Sequence, residues 1–207
     1  MDIPTFDLEL ALRKRGYRFV AGLDEAGRGA WAGPVVAAAV ILPLERSDVT
    51  DELRGVRDSK QLTPAARAAL FDVVAGVALA VGVGVSAPRA IDHDGIVSAT
   101  RRAMLRALAR LTVPPDYLVL DHLRLPTSPL PQLSLPKADA HHLSVAAASI
   151  IAKVTRDRLM VLLDGRFPGY GFAAHKGYGT ARHRAELARL GPVCIHRRSF
   201  APLRQAC

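Results

Sequence analysis

Cysteine is nearly absent: Cys194 and Cys207 are the only two in 207 residues. Two thiols make neither a disulfide framework nor a zinc cluster. Aromatic residues are scarce as well, at six Phe, four Tyr and one Trp, so Ala, Val and Leu must build the interior. Half of the residues are hydrophobic, which suffices for a core without covalent staples. The most apolar run, residues 34–44, is about half the length that a membrane span needs. The opening MDIPTFDLEL is acidic and has no basic segment followed by an apolar one, so no signal peptide is expected. Repeats, low-complexity linkers and any Ser-His-Asp or Cys-His signature are also missing. The expectation is a soluble protein of a reducing compartment, the cytoplasm, with no membrane association. One domain is expected over residues 1–207. No apolar stripe suggests oligomers, which leaves a monomer as the default.

What is present is charge, unevenly placed. The net charge is +9. Residues 1–149 hold 17 Lys/Arg against 16 Asp/Glu, whereas residues 150–207 hold 11 basic and three acidic residues. A basic final stretch suits nucleic acid or an acidic membrane surface, and it equally suits a solvated basic face.

Hydrophobic patterning predicts strands at residues 17–23, 35–42, 78–85 and 117–120, the closely spaced first ones as antiparallel neighbours. Thr63-Pro64 supplies an N-cap and an N1 proline for a helix through about Val74. Further helices are expected over 96–111, 142–163 and 180–190. The stretch holding Pro126, Pro129, Pro131 and Pro136 reads as loop. Residues from about 165 to 207 read as a basic loop-helix extension carrying a glycine-rich loop.

Two of the expected strands end on a carboxylate, Asp24 and Asp121. If those strands are parallel neighbours, the two side chains stand roughly 5 Å apart. Such a pair repels unless a cation or a proton intervenes. Oxygen ligands without a His or Cys cluster favour Mg²⁺ or Mn²⁺ over zinc. The same acids also fit solvated strand ends, and spacing does not separate the two readings.

The flanking residues do. The run Gly22-Leu23-Asp24-Glu25-Ala26-Gly27-Arg28-Gly29-Ala30-Trp31-Ala32-Gly33-Pro34-Val35-Val36 closely resembles the first signature of the type 2 ribonucleases H, the ribonuclease HII family. Asp58-Ser59-Lys60-Gln61-Leu62, Tyr117-Leu118-Val119-Leu120-Asp121 and Lys137-Ala138-Asp139 follow in the family's order. So do the helix from Ala146 to Asp157, Tyr170-Gly171-Phe172, the run from His175 to Thr180, and His196-Arg197-Arg198-Ser199-Phe200. The resemblance spans roughly residues 18–204.

It implies an α/β fold, a ribonuclease H-like mixed β-sheet flanked by helices, with a C-terminal helical extension. It implies an endoribonuclease that cuts the RNA strand of RNA–DNA hybrids, and DNA duplexes on the 5′ side of single embedded ribonucleotides. Asp24, Glu25, Asp121 and Asp139 match the family's four catalytic acids, whose implied role is to hold two Mg²⁺ or Mn²⁺ ions about 4 Å apart. The products would carry 5′-phosphate and 3′-hydroxyl ends. Gly27, Arg28 and Gly29 match the loop that reads the ribose 2′-hydroxyl, Tyr178 the tyrosine that packs on the next sugar, and Lys60 a phosphate contact. For Lys153 a substrate contact and a surface role stay open. For His175, Lys176, Arg197 and Arg198, backbone-directed affinity and plain solvation stay open. One departure stands out: His122 and Leu123 follow Asp121 where the family usually has glycine and a polar residue. Another metal nuclease or nucleotidyl transferase of the same fold, and a binding module whose acids are structural, are the competing readings.

Overall fold

The computed structural model describes residues 3–205; Met1, Asp2, Ala206 and Cys207 lie outside the described residues. The elements run α1 (Asp7–Lys14), β1 (Val20–Ala26), β2 (Val35–Ile41), α2 (Val49–Glu52), α3 (Pro64–Val77), β3 (Ala80–Ser86), α4 (Pro88–Leu108), β4 (Tyr117–Asp121), β5 (Gln132–Leu135), α5 (Ala138–His141), α6 (Leu143–Arg166), α7 (Phe172–His175) and α8 (Ala181–Leu190). The five strands form one sheet in the order β3-β2-β1-β4-β5. The β1–β2 and β2–β3 pairs are antiparallel, and β1–β4 and β4–β5 are parallel. This is the mixed sheet flanked by helices that the family signature implies.

Strand alternation sorts the side chains into two layers. Ala21, Leu23, Val35, Ala37, Ala39 and Ile41 join Ala99, Ala103 and Met104 of α4 on one face. Ala38 and Val40 join Val74 of α3 and the apolar face of α6 on the other. Because β2 is covered on both sides, all seven of its residues are buried. Small residues set how closely the helices approach. A Cβ on Gly82 or Gly84 would lie 2.1 Å or 1.9 Å from a carbonyl oxygen of α4. A Cβ on Gly22 would lie 2.2 Å from the Ser144 backbone of α6.

Thr63 caps α3 as expected, its hydroxyl accepting the Ala66 N–H at 3.2 Å. Helix α4 begins earlier than its apolar spacing suggests and bends at Gly95 (φ 78°). Five elements were not expected: the four-residue helices α2, α5 and α7, the strand β5 and the helix α1. The short strand β5 lies between Pro131 and Pro136, so the prolines bracket the ladder without interrupting it. Helix α1 docks through a buried carboxylate: Glu9 accepts the Ser144 N–H at 3.0 Å and the Ser144 hydroxyl at 2.6 Å, at the start of α6. No helix among the described residues is long and apolar enough to cross a membrane. Cys194 is a free, exposed thiol.

Candidate active site

The register carries Asp24 to Asp121. Leu23 pairs with Leu120 across the parallel β1–β4 ladder, so the next residue on each strand is an acid. Strand β1 runs on through Asp24 and Glu25 instead of stopping before them. A left-handed residue then delivers the fourth acid: Lys137 (φ 58°) turns the chain into α5, which carries Asp139. Asp121 fastens this turn by accepting the Ala138 N–H at 2.9 Å.

Burial and crowding dominate the electrostatics here. Burial raises the Asp24 carboxyl well above its ordinary range; Glu25 and Asp121 push the same way, while a hydrogen bond with Ser149 opposes them. Burial raises Glu25 too, held back by Arg28, whose guanidinium donates to Glu25 Oε1 at 3.2 Å. Asp139 is pushed up to about 6 by burial, Asp58 and Asp121. Lys60 Nζ stands 3.8 Å from Asp139 and 3.9 Å from Asp58. Burial works against its charge, but Asp58, Asp24, Asp139 and Asp121 together raise its pKa.

Glu25 Oε2 and Asp139 Oδ2 are buried with no hydrogen-bond partner. Buried anionic oxygens without donors, in a set of like charges, are the donor set a hard divalent cation requires. Among the described residues no group of three or more Asp, Glu, His or Cys side chains stands ready as a closed cage. The acids instead rim two adjoining cavities, of about 650 and 510 Å³, with Asp121 and Lys60 common to both.

Gly27, Arg28, Gly29 and Tyr178 line the larger cavity together with Asp24 and Glu25. The glycines differ in their surroundings. Gly27 is buried at φ 94°, and a Cβ there would lie 1.9 Å from Arg156 Nε. Gly29 is open, with nothing within 4 Å of its position for a Cβ. Arg197 draws the loop's carbonyls inward, donating to Gly27 O at 2.7 Å, Arg28 O at 2.8 Å and Gly33 O at 2.9 Å. Arg156 donates to Pro34 O at 2.9 Å, Lys176 O at 3.0 Å and Ala32 O at 3.2 Å. Among the described residues the N–H groups of Arg28 and Gly29 meet no backbone acceptor. Half-buried Tyr178 faces two cations, with Lys153 Nζ at 5.6 Å and Arg156 Cζ at 5.2 Å from its ring centre. A further groove of about 720 Å³ adjoins Tyr178 and Lys153, with Arg67, Arg158 and Lys176 on its walls.

Four basic residues of the last quarter fare differently from one another. Arg197 is 0 % exposed and His175 is buried as well, so direct contact with a phosphate backbone is excluded for both. Tertiary packing places them inside, beneath the loop and beneath Tyr178. Arg198 is exposed, and Lys176 is half-buried with its ammonium on Ala173 O. The departure at His122 falls at a left-handed position (φ 57°), where glycine is unstrained. Its ring is exposed on the wall of the cavity, while Leu123 turns into the core. Charge pattern alone missed Arg156, Ser149, His183 and His196. Their only sequence signal is that each lies in or beside a matched motif.

A mixed sheet with crowded acids at the ends of adjacent parallel strands, opening on a glycine loop and a basic groove, defines a nuclease of the ribonuclease H type. The ribonuclease HII family model matches residues 21–203. A ribonuclease HII of Chloroflexus aurantiacus is 53% identical over 204 residues, covering 99% of this chain and 96% of that protein. One from Geobacter sulfurreducens is 54% identical over 201 residues, covering 97% and 90%. In structure, the ribonuclease H2 from Pyrococcus horikoshii matches with a TM-score of 0.75 at 30% identity, over 90% of this chain and 96% of that one. The chain belongs to the ribonuclease HII family. It is a hydrolase, an endoribonuclease acting on nucleic acid.

Proposed function

We propose that this site hydrolyses the RNA strand of RNA–DNA hybrids and cuts DNA duplexes on the 5′ side of single embedded ribonucleotides. The observation that carries the reading is one cleft shared by three features: the acids Asp24, Glu25 and Asp121, the Gly27–Gly29 backbone and the Tyr178 ring. Asp24, Glu25, Asp121 and Asp139 would hold two divalent cations, Mg²⁺ or Mn²⁺, whose chemistry when bound is activation of water and neutralisation of charge on the departing 3′ oxygen.

The remaining work belongs to the chain. A 2′-hydroxyl both donates and accepts, so backbone groups can tell ribose from deoxyribose. The free N–H groups of Arg28 and Gly29 supply donors, and the absence of a side chain at Gly29 lets the sugar come close. Arg197 keeps the loop's carbonyls turned onto itself, which fixes that arrangement. Tyr178, across the cleft, offers a flat face for the next sugar. Lys60, with its ammonium beside Asp139 and Asp58, is placed to meet a phosphate entering the acidic cleft. The groove walled by Arg67, Arg158 and Lys176 continues this surface with positive charge.

The test is cleavage of a DNA duplex containing one ribonucleotide, with Mg²⁺ or Mn²⁺, by wild type and Asp24→Asn, beside an all-DNA duplex. Wild type should cut once, 5′ to the ribonucleotide, and the variant and the all-DNA control should show no product. Equal cutting of the control, or equal activity of the two proteins, overturns the reading.

A further inference from the structure

Three histidines that the proposed chemistry does not use lie beneath Tyr178. His175, His183 and His196 are 9 %, 0 % and 2 % exposed. The rings of His175 and His183 stack with centres 4.4 Å apart. Phe172 packs edge-on against both, and Trp31 lies 5.5 Å from His183.

Backbone partners dictate where the ring protons sit. The Val193 N–H donates to His196 Nδ1 at 3.0 Å, so a neutral His196 carries its proton on Nε2. That nitrogen is 3.1 Å from His183 Nε2, which must therefore accept. The proton of His183 is left on Nδ1, where it donates to the Tyr178 carbonyl at 2.9 Å. In His175, Nδ1 accepts the Gly177 N–H at 3.2 Å, and Nε2–H donates to the Tyr170 carbonyl at 2.8 Å. A directed chain thus runs from Val193 N–H through two imidazoles to the backbone of Tyr178. It works only with both rings neutral: a proton added to His183 Nε2 would face the His196 N–H across 3.1 Å, and one added to His196 Nδ1 would face the Val193 N–H across 3.0 Å. Burial lowers the pKa of both rings, His196 to about 4, which keeps them neutral near pH 7.

We infer that His196 and His183 are positioning residues that, with His175, fix the Tyr178 carbonyl and the Gly177 N–H and so hold the Tyr178 ring opposite the Gly27–Gly29 loop. The consequence for activity rests on the proposed role of Tyr178; the wiring does not. The clamp is a proton-ordered one: His183 holds the carbonyl of Tyr178 and His175 holds the N–H of Gly177, so the segment cannot rotate about its own backbone. Discrimination of ribose at a junction would then depend on buried rings that never touch the substrate.

Two measurements test this. The first is ¹H–¹⁵N correlation of the histidine rings in the full chain at pH 7. It should show three neutral rings, His183 as the Nδ1–H tautomer and His175 and His196 as Nε2–H tautomers. His183 found protonated, or as the Nε2–H tautomer, overturns the wiring whatever the substrate proves to be. The second compares two substitutions in steady-state cutting of a single-ribonucleotide duplex. His183→Phe keeps a ring but no N–H, whereas His183→Asn keeps a donor near the Nδ1 position. Phe should lower kcat about tenfold with little change in KM, and Asn should recover most of the loss. Equal loss in both overturns the positioning role. If wild type leaves this duplex uncut, the proposed function fails and the tautomers still decide the clamp.

Discussion

Two buried polar clusters flank Tyr178, and they are finished to different degrees. In the acidic cluster around Asp24, burial and like charge push carboxyls up in pKa, and oxygens of Glu25 and Asp139 are left without a donor. In the basic cluster, Arg156, Arg197 and the three histidines are equally hidden, yet each hands its protons to backbone carbonyls or to another ring. Burial lowers the pKa of Arg197 to about 9, with Arg156 adding to the effect. A polar cluster that satisfies itself is scaffold. One that leaves buried anionic oxygens without a hydrogen-bond donor is built for a visitor.

The strongest way to break this contrast is Asp24→Asn. Activity should fall about 10³-fold or more, since several kcal/mol of charge organisation is removed. Stability should move the other way. The folded carboxyl titrates above its ordinary 3.8, so the native state binds its proton more tightly than the unfolded chain does. Its contribution is therefore present at low pH and lost as pH rises through the raised folded pKa. With chelator present, Asp24→Asn should raise stability by about 1–2 kcal/mol, read as Tm. A fall in Tm would place Asp24 with the finished cluster.

Next in size is a pair of glycine substitutions that separates scaffold from surface within one loop. Gly27→Ala puts a methyl group onto Arg156 at a positive φ, and should cost about 2–4 kcal/mol of stability. Gly29→Ala meets nothing within 4 Å and should change stability by less than about 0.5 kcal/mol. It should still slow cutting at single ribonucleotides, because the sugar is held off. Denaturant unfolding beside kcat/KM reads both halves; a stable Gly27→Ala would mean that Arg156 does not brace the loop.

This contrast was only half legible in the sequence. Strand-end acids at 24 and 121 are a local pattern, and parallel pairing of β1 with β4 made them neighbours as the spacing suggests. The delivery of Asp139 depends on a left-handed Lys137, which no propensity marks. Helix α1 is eight residues long and owes its place to Glu9 on Ser144, a contact 135 residues away in sequence. β5 hid between prolines that lie outside its ladder. The basic final quarter misled most, because a charge count treats every Arg and His as solvated. Whether Arg197 meets water or the carbonyls of Gly27 and Gly33 is settled by packing from distant segments, and the sequence period carries no trace of it.

The two clusters also respond to acid in opposite senses. His196 titrates near 4 when folded and near 6.5 otherwise, so protons favour the unfolded chain, and its contribution fades as pH falls through that window. Asp139 titrates near 6 when folded and 3.8 otherwise, so over much of the same window its protonation favours the native state. In wild type with chelator these trends largely offset each other between pH 6.5 and 4. Asp139→Asn removes one of them and should reveal a loss of about 2–3 kcal/mol on acidification, seen as a steeper fall in Tm than wild type shows. Parallel Tm curves would mean that Asp139 does not titrate above its ordinary range, and a variant Tm that holds steady on acidification would mean that His196 is not held neutral.

The smallest expected effect concerns Lys60, which stands at the edge between the two clusters in character: a cation among acids, but with a side chain 76% exposed. Exposed ion pairs at 3.8 and 3.9 Å contribute little to folding, so Lys60→Ala should leave stability within about 0.5 kcal/mol. If its ammonium instead serves an incoming phosphate, the change appears in binding. KM should rise a few-fold, kcat should hold, and the slope of log affinity against log salt should fall by about one. Titration of a fluorescent hybrid at several salt concentrations, under conditions that block cutting, gives that slope directly. An unchanged slope with reduced kcat would instead show Lys60 acting on the acids, steadying Asp139 within the acidic cluster.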